Sequence, residues 1–492
     1  MKNAFDNNLY VKIQSRKIRE RISMFSKLYL EFGGKIFDDL HAGRVLPGFD
    51  VNVKTKLLKE LKDQLEVIVC VNANDLANNK MRLDLNLTYD METLRLVQSL
   101  RKEGILVSSI VLTLYEGQPS ADTFKRKLEL MGERVYLHRP TKGYPHDVET
   151  VVSDQGYGAN PFVETSRPLV VVTAPGGGSG KLATCLSQLY HEKKMGVNAG
   201  FAKYESFPVW NLPLNHPVNT AYMAATADLN DYNLIDSYHL SATGEVAVTY
   251  NRDHEVFPII NSILTQISGR QVYASPTEMG VNMIASAITD DQAVREASKQ
   301  EIIRRYYKEL CEYKQGRADI SVVERLQRLM SNAEISPALR PVVAAAKEKG
   351  EKSGCNAVAL SLPDGSIVTG RDNSAMNAAA SAVLNGIKKM GGVRDSIKLI
   401  PTSAITPIIK LRRDVWKSKR RWLSLEEALI ALSISVVSNP LAEECFPYLK
   451  QLQGCEAHST VILEDHEMQI FRKMGINLTC EPLYQTKKLY HA

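Results

Sequence analysis

The sequence predicts an α/β protein built from mostly parallel, three-layer sheet lobes, a helical segment and a smaller C-terminal α/β domain. Three observations lead there. Short β-rich apolar runs alternate with helical patterns of about ten residues, which is the signature of βαβ units. A fully apolar strand, PLVVVTA (168–174), runs directly into a glycine-rich loop and then a helix. From about Thr277 to Gly350 the pattern becomes helical, and it returns to α/β character after a charged, glycine-containing stretch, EKGEKSG (348–354).

In chain order, GGKIF (33–37) is read as a strand and KTKLLKELKDQ (54–64) as an amphipathic helix. EVIVCVNA (66–73) is a strand, METLRLVQSLRKEG (91–104) a helix ending at a glycine, and SSIVLTLY (108–115) a strand. DTFKRKLELMG (122–132) and RVYLHR (134–139) add another helix and strand. The Gly/Pro/Asn-rich stretch 142–162 is a loop. LATCLSQLYHEKK (182–194) is the helix after the glycine loop, and EVAVTYN (245–251) an alternating strand. Residues 300–316 and 321–334 carry apolar positions three and four apart, as helices do. NAVALSL and SIVTG, joined at Asp364–Gly365, form a hairpin; two helices and a late strand, STVIL, follow. With 492 residues the chain exceeds one ordinary core. It divides into an N-terminal α/β lobe (1–150), a P-loop-like lobe (151–276), a helical segment (277–350) and a C-terminal α/β domain (351–492). P-loops usually follow the first strand of their sheet, so the strands before residue 150 favour two lobes over one large sheet.

Composition narrows the function classes. Apolar residues make up 44% and charged residues 24%, and the net charge is +6. That balance gives no reason to expect a nucleic-acid or membrane protein, while it suits an anionic ligand. Seven cysteines, none in a CxxC pair, read as reduced thiols. With neither a signal-peptide core at the N-terminus nor a long apolar run, a cytoplasmic location is expected.

The chemistry concentrates at Ala174-Pro175-Gly176-Gly177-Gly178-Ser179-Gly180-Lys181. Glycines accept positive φ, so successive N–H groups can turn inward around an anion, and the following helix adds its free amides and positive dipole end. Order and spacing resemble the P-loop, GxxxxGK[ST], with Gly176, Gly177, Gly178, Ser179, Gly180 and Lys181 as phosphate binders. Two departures stand out: Pro175 replaces the first glycine, and Leu182 stands where a hydroxyl would ligate Mg²⁺. Thr184 cannot substitute, lying about 200° further around the helix.

A nucleotide enzyme also needs a carboxylate and cations. Asn251-Arg252-Asp253-His254, read as following a strand, offers Arg252 as a phosphate clamp and Asp253 as a metal ligand or base. Asp228 is the alternative carboxylate. Lys203 and Glu205 precede an irregular proline-rich loop that contains His216. Asp38, Asp39, His41 and Arg44 are candidates for the second substrate, with His138, Arg139 and Lys142 facing the same crevice. Cys455 to His458 is a weak metal signal, and LRRDVWKSKRRW (411–422) a basic run with two tryptophans.

KLYLEFGGKIFDDLHAGRVLPGF, LVVVTAPGGGSGKLATCLSQLYHE, NLPLNHPVNTAYMAATADLNDYNLID and YNRDHEVFP together resemble a bacterial family of about this length known only as conserved proteins of unknown function. The resemblance covers nearly the whole chain. It implies a P-loop-like N-terminal portion, a distinct C-terminal portion and a homo-oligomer, and it implies no established reaction. The expectation is an ATP- or GTP-dependent phosphotransferase or hydrolase in which Lys181, Arg252, Asp253 and Asp228 do the chemistry. The alternatives are a nucleotide-sensing or structural protein that does not turn nucleotide over, and a binder of a phosphorylated metabolite.

Overall fold

The computed structural model describes residues 3–82, 85, 87–418, 420 and 422–486. It divides into two compact units, Lys2–Ser298 and Lys299–Ala492, with the division inside the helix Asp291–Lys314. Among the described residues no helix is long and apolar enough to cross a membrane. All seven cysteines are free.

The first unit contains β1 (Lys27–Phe32), β2 (Leu65–Asn72), β3 (Met81–Arg82), β4 (Leu87–Thr88), β5 (Leu106–Thr113), β6 (Val135–Leu137), β7 (Leu169–Thr173), β8 (Ala199–Tyr204), β9 (Asn233–Ile235), β10 (Val248–Tyr250) and β11 (Gly280–Val281). Seven of these form one parallel sheet in the order β11-β8-β1-β7-β2-β5-β6. The two-lobe expectation is therefore corrected: residues on both sides of 150 build a single sheet. The reason is visible in β7 itself. Leu-Val-Val-Val-Thr is buried at every position, so it needs a neighbour on each edge and a helix layer on each face. It finds its neighbours in β1 and β2, both far away in sequence.

Helices cover both faces. On one, Leu28, Leu30, Val67, Val69 and Val171 pack against Leu57 and Leu58 of the helix Val53–Glu60 and Leu96, Val97 and Leu100 of the helix Tyr89–Lys102. On the other, Tyr29, Ile68, Cys70, Val170 and Val172 meet Cys185, Leu186 and Leu189 of the helix Lys181–Lys194, and Phe257, Ile260 and Leu264 of the helix Asn251–Ser268. Each such side chain contributes about 1.5–3 kcal/mol on burial, so the three layers hold together chiefly through these two interfaces.

Two local assignments also change. The first strand is KLYLEF (27–32), and the residues expected to form it, GGKIF, make the turn that ends it. Gly33 is required there, because an added Cβ would sit 2.8 Å from the Tyr204 carbonyl oxygen, and Gly34 has φ +70. EVAVTYN contributes only Val248–Tyr250, which pairs with β9 outside the main sheet, and a helix starts at Asn251.

The second unit has a four-stranded sheet, β13-β12-β14-β15, made of β12 (Ala357–Ser361), β13 (Ile367–Arg371), β14 (Glu456–Ser459) and β15 (Asn477–Cys480). The expected hairpin is present as antiparallel β12 and β13. β14 runs antiparallel to β12 and parallel to β15. The late strand begins at Glu456 and stops at Ser459, so most of STVIL lies beyond it. The helices Ala378–Met390 and Leu425–Ser435 supply one apolar layer.

Candidate functional site

The chain leaves β1 toward β2 on one side and leaves β7 toward β8 on the other. Adjacent strands whose connections diverge leave a crevice beyond their carboxyl ends, where ligands of open α/β sheets bind. The loop after β1 and the glycine loop after β7 flank this crevice.

The glycine loop is held by side chains beneath it. Ser179 Oγ donates to the Gly176 carbonyl at 2.7 Å, and Thr113 Oγ1 donates to the Ser179 carbonyl at 2.9 Å. Asn72 Nδ2 donates to the Gly178 carbonyl at 3.0 Å. Gly178 and Gly180 have φ +70 and +72. A Cβ on Gly176 would lie 2.1 Å from the Tyr89 hydroxyl oxygen, whereas nothing lies within 4 Å of one on Gly177 or Gly178. The crest of the loop is thus open to a close-approaching ligand, and its root is packed. The helix Lys181–Lys194 starts at Gly180 with no side-chain cap, which leaves its first amides available. Lys181 is half-buried at that start. The side chain of Ser179 is buried and its hydroxyl is spent on the Gly176 carbonyl inside the loop. Thr184 Oγ1 donates back to Gly180 at 3.0 Å, as the helix geometry requires.

Beside the loop stands a charged cluster that sequence reasoning only touched. Register places Val172 of β7, Glu31 of β1 and Lys203 of β8 side by side. Glu31 and Lys203 lie two residues on from Tyr29 and Phe201 and share their face, so they face the helices Lys181–Lys194 and Asn251–Ser268. Lys203 Nζ donates to both Asp253 carboxylate oxygens, to Tyr250 OH at 2.6 Å and pairs with Glu205 Oε1 at 3.0 Å. Burial works against the Lys203 charge, but Asp253 and Glu205 outweigh it and hold its pKa well above the usual lysine range. Burial raises Glu205 to about 7 against the opposing pull of Lys203, with Asp253 pushing the same way as burial. The signal for this cluster was a Glu in KLYLEF and a Lys in AGFAKY, charges inside parallel strands that should be apolar on both faces.

The other predicted residues separate. Asp253 lies in the first turn of a helix, not at a strand end, and both its oxygens accept from Lys203. Arg252 is paired with buried Asp231 while its guanidinium remains more than half exposed. Asp228 is exposed in the 3-10 turn Ala227–Leu229. Among the described residues no group of three or more His, Cys, Asp or Glu could hold a metal ion. With Leu182 in place of a hydroxyl, the residues present do not fit a tightly held Mg²⁺.

After β1, Asp39 caps the helix Leu40–Val45 and pairs with buried Lys54 at 2.8 Å. Burial disfavours the Asp39 charge, but Lys54 prevails and holds its pKa below the usual carboxylate value. Asp38, at φ 56, pairs with Arg95 at 3.1 Å. His41 is half-buried, edge-on to Phe207 with ring centroids 5.2 Å apart, and Arg44 is half-buried in the same short helix. His138 does not face the crevice. It ends β6 at the far edge of the sheet, buried, with Nε2 3.0 Å from the Pro161 carbonyl. His216 caps the helix Pro217–Ala225 and pairs with Asp291 at 2.9 Å. In the second unit, His458 is held by Thr479 and Glu481, and Glu456 by Arg304 and Arg340. Of the basic run 411–422, Lys419 and Arg421 lie outside the described residues, and Trp416 and Trp422 are exposed.

Residues 3–334 match the family described as "Domain of unknown function DUF1846, N-terminal", and residues 338–490 its C-terminal counterpart. Similar curated proteins are each called "UPF0371 protein". One from Clostridioides difficile (strain 630) is 50% identical over 501 residues, and one from Clostridium tetani (strain Massachusetts / E88) is 51% identical over 500 residues. In both, the match covers 100% of each chain.

Proposed function

The chain belongs to the DUF1846 family of two-domain bacterial proteins, and on that premise we propose that it binds the phosphates of a nucleotide on the loop Gly176–Lys181 and transfers or hydrolyses the terminal phosphoryl group. One observation carries this reading: an uncapped 14-residue helix, open glycines and a lysine meet at the carboxyl end of the central strand, where the sheet's connections diverge. Loop amides, helix dipole and Lys181 supply the positive potential that a polyphosphate needs.

Glu205 supplies the proton chemistry. Its side chain is about one quarter open (26%) and sits one strand beyond β1. At the usual strand spacing that is about 10 Å from β7, the span of a phosphate and the group attacking it. The acceptor hydroxyl or water gives its proton to the Glu205 carboxylate as its oxygen bonds to the terminal phosphorus. The bridging P–O bond breaks, its electron pair goes to the bridging oxygen, and the departing nucleoside diphosphate stays on the loop amides. Lys203, permanently charged, holds Glu205 in place together with Asp253 and Tyr250. A pKa near neutrality is where a general base is most effective.

A second reading, nucleotide sensing without turnover, is favoured by Leu182, since the usual metal-binding hydroxyl is missing. The test combines binding and turnover. Melting temperatures of wild type and Lys181→Ala are taken against ATP, GTP, ADP and inorganic phosphate, followed by phosphate release from wild type and Glu205→Gln. An upward shift with a nucleotide that Lys181→Ala abolishes, with release lost in Glu205→Gln, is the expected result. A shift without release selects the sensing reading. No shift with any of them, in folded protein, refutes phosphate binding on this loop.

A further inference from the structure

A cavity of about 420 Å³ opens between the helices Ala73–Ala77, Tyr89–Lys102 and Pro119–Leu130, beyond the carboxyl ends of β2 and β5. This falls within the roughly 300–1,000 Å³ typical of small-molecule sites. Tyr89 joins the cavity to the glycine loop: its ring lines the cavity, and its hydroxyl lies against Gly176. Cavity and loop are therefore neighbours, with Tyr89 standing between them.

We propose that this cavity is the nucleoside subsite, holding the base and ribose of the nucleotide whose phosphates lie on the loop Gly176–Lys181. The proposal rests on the phosphate reading above and adds to it the part of the ligand that the loop cannot recognise. The walls have the required mixture. Phe124, Leu76, Pro119 and the Tyr89 ring offer flat apolar surface for a base. Asp75 and Asp90 offer carboxylate acceptors for ribose hydroxyls or an exocyclic amine. Lys80, ion-paired with Asp75 at 3.1 Å, also lies over the Tyr89 ring at 5.2 Å, which fixes both walls. Lys127 also lines the cavity and Lys80 neutralises Asp75, so it is the loop amides and Lys181, not the charge of the cavity, that direct a polyphosphate tail toward the glycines. A sugar phosphate would leave the apolar walls unfilled, and an acyl chain would offer Asp90 no hydrogen-bond donor.

The test is a calorimetric titration of the full chain with ATP, GTP, CTP, UTP and pyrophosphate, using wild type, Thr123→Trp, Asp90→Asn and Lys181→Ala. Thr123 lines the cavity from an exposed helix position, so the indole fills the cavity without entering the core. In wild type, at least one nucleoside triphosphate binds at least tenfold tighter than pyrophosphate. Thr123→Trp removes that advantage and leaves pyrophosphate binding unchanged, and Asp90→Asn, which keeps the shape, weakens the same triphosphate severalfold. Lys181→Ala weakens the triphosphate and pyrophosphate together. If both cavity variants keep the wild-type preference for that triphosphate over pyrophosphate, or wild type has no such preference, the nucleoside subsite is overturned while the phosphate loop stands. If wild type binds neither pyrophosphate nor any triphosphate, the phosphate reading falls first and the subsite with it.

Discussion

Replacing Lys203 by methionine removes the cation from the centre of the crevice and keeps the length of the side chain. The structure sets the size of the effect. Lys203 Nζ serves both Asp253 oxygens, Tyr250 OH and Glu205, and its side chain is only 13% exposed. Its loss leaves two carboxylates side by side with no cation between them, and removing one member of a buried ion pair costs about 3–5 kcal/mol. For a unit of this size each kcal/mol corresponds to about 2–4 °C, so the melting temperature at pH 8 falls by about 10 °C. The pH dependence has a definite sign. Burial already holds the Glu205 carboxyl above its unfolded pKa against the pull of Lys203, and loss of the lysine raises it further, so the folded state binds more protons than the unfolded one between the two values. Stability then declines as pH rises from about 4.5 through the raised Glu205 value, by up to about 1.4 kcal/mol per unit. The deficit is therefore smaller at pH 5 than at pH 8. The assay is thermal unfolding of wild type, Lys203→Met and Lys203→Met/Asp253→Leu at both pH values, with the double variant recovering most of the loss. Equal deficits at pH 5 and 8, or a fall below about 3 °C, would refute the view that this lysine neutralises buried charge.

Three further outcomes are expected. Gly180→Ala forces a Cβ onto φ +72 and to 2.8 Å from Thr113 Cβ, so it costs at least about 1–2 kcal/mol, and the nucleotide-induced rise in melting temperature disappears. His138, whose pKa is lowered by burial to about 4, contributes stability that is complete above pH 6.5 and lost as pH falls toward 4. That shift is worth about 3 kcal/mol, and a proton NMR titration of the His138 imidazole is expected to place its midpoint near pH 4. Arg340→Met removes a buried guanidinium that donates to Thr479, Ala457 and Asn477 as well as pairing with Glu456. A loss of about 3–5 kcal/mol is expected in urea unfolding of a Trp210→Phe background, in which Trp416 and Trp422 report on the second unit.

The parts of the fold that could be read from the chain are those where local pattern and tertiary role agree. EVIVCVNA, SSIVLTLY and PLVVVTA are buried on both faces in the structure, and continuous β-branched runs have few other uses. The strand order could not be read, because β7 pairs with partners more than 90 residues away and nothing in its own composition names them. The strand misplaced at GGKIF shows a different limit. KLYLEF contains a Lys and a Glu, which local reading penalises, yet Glu31 stands beside Lys203 and helps to hold that buried charge. The loop around Gly176–Lys181 was legible as chemistry, whereas Tyr89, Thr113 and Asn72, which hold it, sit on other strands and helices and carry no local sign of that role.

The insertion of β7 between β1 and β2 also fixes the order in which this molecule can be assembled. A nascent chain that has reached residue 168 already possesses β1, β2, β5 and β6, but the strand that bridges β1 to β2 has not yet been made. Until it arrives, β1 and β2 each expose an unpaired edge of the kind that invites pairing with other chains. The segment that closes this gap is the one whose next seven residues form the glycine loop. Closing the gap between β1 and β2 and making the glycine loop are therefore one step in the life of the chain, with β8 and β11 still to come, and a product truncated before β7 lacks both.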